Sequence, residues 1–70
     1  MKKYYTIYTI SLNCYYDYDN NLTNIPKNAA VYSNIEKAEL ALDNILRHDS
    51  WAYIEEINDL NEFHSMENTW

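Results

Sequence analysis

Few side chains in this sequence are equipped for chemistry: Cys14, His48, His64, and eleven Asp and Glu spread over 70 residues. A thiol beside an imidazole can act as a nucleophile, and Cys and His together can hold zinc. One Cys and two widely separated His lack the short ligand intervals of a structural zinc site. They read instead as a small buried thiol and two surface histidines. Asp17-Tyr18-Asp19-Asn20-Asn21 opens like a calcium loop, with oxygens at its first, third and fifth positions. Leu22 then stands where such a loop needs glycine, and Asn28 where it needs a bidentate glutamate, so a solvated turn is expected. Glu55 and Glu56 are neighbours in a strand-like run and point to opposite faces, which rules out a carboxylate dyad. The sequence has no glycine, so the usual phosphate-cradling loops are missing. No catalytic residue, cofactor or metal site is expected, and the chain does not read as an enzyme.

Residues suited to binding another protein are more numerous. Tyr15, Tyr16 and Tyr18 run together with Asp17 and Asp19. Tyrosine offers large contact area at low entropic cost, and Asp pairs with Arg or Lys on a partner. At 100° per residue, Leu40 lies about 160° from the centre of the apolar stripe of its helix, among Glu36, Glu39, Asp43 and Asn44. An apolar centre inside an acidic ring has the anatomy of a protein contact, although a single exposed leucine is common. Trp51 and Trp70 are candidate anchors for a dimer, with packing in the core or tail as the alternative.

Charge supports the same direction. Residues 1–35 carry three lysines against two aspartates, a net of +1. Residues 36–70 carry nine acids against Lys37 and Arg47, a net of −7. Nearly all of the formal −6 therefore lies in the second half. Such a field repels phosphate backbones, so direct nucleic-acid binding is disfavoured. It speeds encounter with a basic protein surface, and it also serves plain solubility.

A chain of this length forms one domain, residues 1–70, which buries only about 60% of the surface its unfolded form exposes. With Cys14 as the only cysteine, no internal disulfide can form, consistent with a reducing compartment. Met1-Lys2-Lys3-Tyr4-Tyr5 begins like a signal peptide, but threonines and tyrosines interrupt the apolar stretch that should follow. No run approaches the roughly 20 apolar residues that span a bilayer. A cytoplasmic protein with no membrane contact is expected.

The elements that must position these residues are legible in outline. Residues 4–16 are rich in β-branched and aromatic types and predict a strand. The better core face is Tyr4, Thr6, Tyr8, Ile10, Leu12 and Cys14, unless a bulge switches the register. Residues 17–28 read as a loop with Leu22 and Ile25 as small anchors, and Asn20, Asn21 and Asn28 as candidates for positive φ. Residues 29–32 predict a second strand. Ser33-Asn34-Ile35-Glu36 fits a capping box, with Ser33 as N-cap. Ile35, Ala38, Leu42, Ile45 and Leu46 follow at helical spacing, Ala41 at the margin, in a stripe roughly 140° wide. Arg47 and His48 fall in the last turn, where cations complement the helix dipole, so the helix should end near His48. Residues 51–57 predict a further strand, and Asn58-Asp59 a turn. Asp59 with Glu62 makes a weaker capping pattern, and Leu60, Phe63 and Met66 recur every three residues, predicting a short helical turn or tail that docks Phe63 and Trp70. The fold class is α+β: a small antiparallel sheet of about three strands in the order β-β-α-β, with one amphipathic helix on one face.

Val31-Tyr32-Ser33, then Ile35-Glu36-Lys37-Ala38-Glu39, a helix, and Trp51-Ala52-Tyr53-Ile54-Glu55-Glu56 resemble a group of small phage and bacterial domains. Those combine a β-hairpin, a helix opened by Y/F-S-x-x-E-K-A, and a strand rich in Ile, Glu and Tyr. The likeness covers residues 31–60, and the chain departs from it in lacking glycine ahead of the helix. It implies the fold but transfers no functional residue. By type, the chain is similar to the small acidic anti-defence proteins of phages, anti-CRISPR inhibitors among them. The expectation is an acidic inhibitor or modulator, phage or mobile-element encoded, that covers a basic surface of a host protein such as a CRISPR-type nuclease. The alternative is a homodimeric structural or regulatory accessory domain.

Overall fold

The computed structural model describes residues 3–57. The expectations for Asn58-Asp59, for the 60–70 segment and for His64 and Trp70 lie outside these residues. Chain order is β1 (Tyr4–Thr9), β2 (Cys14–Tyr16), β3 (Leu22–Thr23), a 3-10 turn (Pro26–Asn28), α1 (Ile35–Leu46) and β4 (Ala52–Ile57). The strands form one antiparallel sheet in the order β3-β2-β1-β4. The class is α+β, with four strands where about three were expected.

The first strand is shorter than its composition suggests. Residues 10–13 turn the chain back, so β2 returns along β1 with Tyr8 opposite Tyr15 and Thr9 opposite Cys14. Asn13 makes this turn at φ 53°, and Asn20 makes a later one at φ 63°. Asparagine tolerates this left-handed region better than other non-glycine residues, which suits a chain without glycine. Asn20 was anticipated there and Asn13 was not, while Asn21 and Asn28 keep negative φ.

That turn also corrects the expected core face. Ile10 and Leu12 sit in it and are exposed. The face of β1 that meets the helix is the other one: Ile7 packs with Tyr16, Ile45 and Ala52, flanked by Tyr32, Ala41, Leu42 and Ile54. The opposite face is buried too, where Tyr4 and Tyr15 pack against Ala29, Val31 and Ile57. β1 is therefore enclosed on both sides, with Thr6 and Ile7 each fully buried. Thr6 meets the cost of burying a hydroxyl by donating to the Ala30 carbonyl at 2.6 Å.

Residues 29–32 do not form the expected strand. They lie along the first half of β1 through a single antiparallel bridge, Tyr5 to Tyr32, with both backbone hydrogen bonds made. Beside them the Ala30 amide donates to the Tyr16 carbonyl. This segment extends the edge that β2 leaves open.

The helix begins one residue later than the capping-box reading. Asn34 is the N-cap, and its Oδ1 accepts from the Glu36 amide at 2.7 Å. The first helical bond runs from the Ala38 amide to the Asn34 carbonyl. Asn caps about as well as Ser, and here it is the Asn34 side chain that takes the role. Ala38 and Ile45 are buried, with Ala41 and Leu42 half-buried beside them. Ile35 and Leu46, at the two ends, are exposed. Two alanines in the buried stripe let the helix approach the sheet closely. At the other end α1 stops at Leu46, so Arg47 is the C-cap and neither it nor His48 belongs to the last turn. The Ile45 carbonyl accepts from both the His48 and Asp49 amides.

Candidate functional site

The expected site residues separate into two groups. Glu36, Glu39, Leu40 and Asp43 come together: all are exposed on the outer side of α1, and Leu40 is 67% exposed. Lys37, about 60° around the helix from Leu40, and Arg47 at its end are exposed as well. Among the described residues the one ion pair is Lys3 with Glu56, at 3.6 Å, so neither cation is bridged to the acids of α1.

The tyrosine group is not one surface. Tyr15 and Tyr16 are consecutive in β2 and face opposite sides of the sheet. Tyr15 sits edge-on to Tyr8, ring centroids 5.1 Å apart, and Tyr53 flanks Tyr8 from the other side at 5.8 Å. Tyr16 is only 4% exposed and belongs to the core under the helix. Its ring is therefore no part of an exposed tyrosine surface. Tyr18 is exposed on its ring, but its hydroxyl both donates to the Val31 carbonyl and accepts from the Val31 amide, each at 3.0 Å. That phenol closes the backbone groups Val31 turns away from β1. Asp17 accepts from the amides of Asp19 and Asn21 at 2.9 Å each, so its carboxylate shapes the loop. Of the two loop acids, Asp19 is exposed and Asp17 half-buried.

Sequence reading missed a second arrangement at the end of the sheet where α1 turns into β4. The Tyr16 hydroxyl donates to Asp49 Oδ2 at 2.7 Å, and the Trp51 amide donates to Asp49 Oδ1 at 3.0 Å. His48 lies edge-on to the Tyr16 ring at 6.2 Å. Above these groups a cleft of about 360 Å³ opens between Leu12, Leu22 and Trp51. Trp51 is 61% exposed, and Leu12 and Leu22 are exposed with it. Burial and the neighbouring Asp49 and Cys14 push the Tyr16 phenol up to about 12. Burial alone would raise the Asp49 carboxyl, but hydrogen bonds from Thr9, Tyr16 and the Trp51 amide, with His48 nearby, hold it below the usual carboxylate value. Asp49 is therefore an anion at neutral pH, locked in orientation. The contributors stand up to 40 residues apart, from Ser11 in the hairpin turn to Trp51 just ahead of β4, and no local motif announces them.

Cys14 is half-buried rather than buried, and its Sγ donates to the Leu12 carbonyl at 3.2 Å. Among the described residues no group of three His, Cys, Asp or Glu is placed to hold a metal ion. No described helix is long and apolar enough to cross a membrane. Compared with family models, with curated proteins and with solved structures, the chain finds no match.

Proposed function

We propose that this protein is a non-catalytic protein-binding inhibitor or modulator, carried by a phage or mobile element, whose acidic helix covers a basic surface of a host protein such as a defence nuclease. The observation that carries this reading is the outer face of α1, where Glu36, Glu39 and Asp43 surround an exposed Leu40. Coulombic attraction between such a face and a basic patch accelerates encounter, and the leucine supplies the desolvated centre that holds the complex. The same charge repels nucleic acid, so the reading is occupation of a partner's nucleic-acid-binding surface and not competition for the nucleic acid itself.

The test is affinity capture from host lysate with the full chain and with a Glu36→Lys, Glu39→Lys, Asp43→Lys variant. Loss of the captured basic protein in the variant supports the reading, and identical capture by both refutes it. Asp17 is left intact because its carboxylate builds the loop.

One observation favours a second reading, a homodimeric accessory domain. β4 ends the sheet order, so among the described residues its outer edge has no strand beside it, and edge strands readily pair with another copy. Light scattering on the purified chain separates the two: a dimer whose interface protects β4 amides from exchange supports the second reading.

A further inference from the structure

We propose that the cleft between Leu12, Leu22 and Trp51, floored by the Asp49 carboxylate, seats an arginine side chain of a partner protein. This surface shares no residue with the outer face of α1, and the inference stands or falls independently of the helix.

Charge decides the class of ligand. Asp49 lines the cleft, and among the described residues no lysine or arginine pairs with it. Its orientation is fixed from two directions, by the Tyr16 hydroxyl on one oxygen and the Trp51 amide on the other. A carboxylate offers about four acceptor sites. Even with the Thr9 hydroxyl alongside, one remains for an incoming N–H. A preorganised anion at the floor of a concave site is complementary to a cation, and the ordering cost has already been met in the free protein.

The walls decide which cation. Trp51 presents an exposed indole, and a guanidinium stacks on such a face while donating from its edge. An ammonium is compact and strongly hydrated, so it gains less from an apolar wall. Leu12 and Leu22 line the same cleft and offer apolar cover to the methylene stem and the residues flanking it. The volume lies at the small end of ligand sites, which suits one long side chain better than a folded cofactor. A central charged anchor with apolar surroundings is the usual composition of an interface hot spot.

The experiment titrates the full-length, isotope-labelled chain with acetyl-Leu-Arg-Leu-amide and follows amide and indole resonances. The expected result is a shift of the Trp51 indole and of the Leu12 and Asp49 amides. Replacing arginine by lysine weakens the response about threefold or more, and replacing it by neutral citrulline abolishes it. Trp51→Ala weakens binding by about 3- to 5-fold; Trp51 is exposed, so that variant keeps its fold, and its amide spectrum verifies this. In the Glu36→Lys, Glu39→Lys, Asp43→Lys variant the arginine peptide still shifts the Trp51 indole and the citrulline peptide does not. Equal shifts with arginine and citrulline, shifts confined to α1, or an unchanged response in Trp51→Ala would each overturn the proposal.

Discussion

At the scale of single residues, the tyrosines divide by what their hydroxyls touch. Tyr16 and Tyr18 stand two positions apart in the run that suggested a binding loop, yet both phenols hydrogen-bond part-buried polar groups of the fold. Tyr18→Phe leaves the amide and carbonyl of the buried Val31 without their partner, and is expected to cost about 1–3 kcal/mol in urea denaturation. A pure interface tyrosine would lose nothing from the free protein. Tyr16→Phe is expected to cost about 1 kcal/mol at neutral pH, and it also changes the alkaline limb. The folded Tyr16 holds its proton to about 12, against 10 for the ordinary side chain. The folded state therefore binds more protons than the unfolded state across that window, and stability falls as pH rises through it. Burial first, with nearby anions second, also raises Tyr32 and Tyr53, so the variant should flatten the alkaline loss without removing it. Denaturation midpoints measured across the alkaline range check this.

At the scale of elements, the helix was readable from its periodicity while its first residue was not. Ser33 and Asn34 are both good N-caps, and nothing local chooses between them. In the structure the capping oxygen is that of Asn34. Asn34→Ala should cost about 1 kcal/mol, whereas Ser33→Ala should stay within about 0.5 kcal/mol; thermal melts of the two variants discriminate between the frames. The hairpin was hidden for a different reason. Ile10, Ser11 and Leu12 continue the strand-like composition of residues 4–9, and the turn depends on Asn13 entering the left-handed region. Without glycine the sequence carries little punctuation, so an alternation that looked continuous broke in the middle. The fourth strand, by contrast, lay close to its expected place at residues 51–57 because its run of β-formers is bounded on both sides.

At the scale of the whole molecule, charge was legible and convergence was not. The net −7 of residues 36–70 is a property of composition, and it places Glu36, Glu39 and Asp43 on one exposed side of α1 through helical spacing alone. If that face steers a basic partner, association should slow as salt rises while dissociation changes less. Stopped-flow mixing at a series of salt concentrations would read the slope, and a flat association rate would remove the steering role. The cleft at Asp49 arises otherwise. It needs β2 to return along β1 and α1 to end at Leu46, so that Tyr16, Asp49 and Trp51 meet. That meeting is tertiary, and no window of sequence contains it.

The position of β1 bears on how the chain comes into being. It is the first of the described strands to be made, yet it lies between neighbours, with β2 and Tyr32 along one edge and β4 along the other. A ribosome delivers its hairpin early and its second neighbour only after the helix has emerged. Until Ala52–Ile57 is out, Tyr4–Thr9 presents a bare, aromatic-rich edge, and closing it joins residues as far apart as Tyr4 and Ile57. Folding should therefore be slower than for a helical protein of equal length, and an aggregation-exposed interval should precede the emergence of β4.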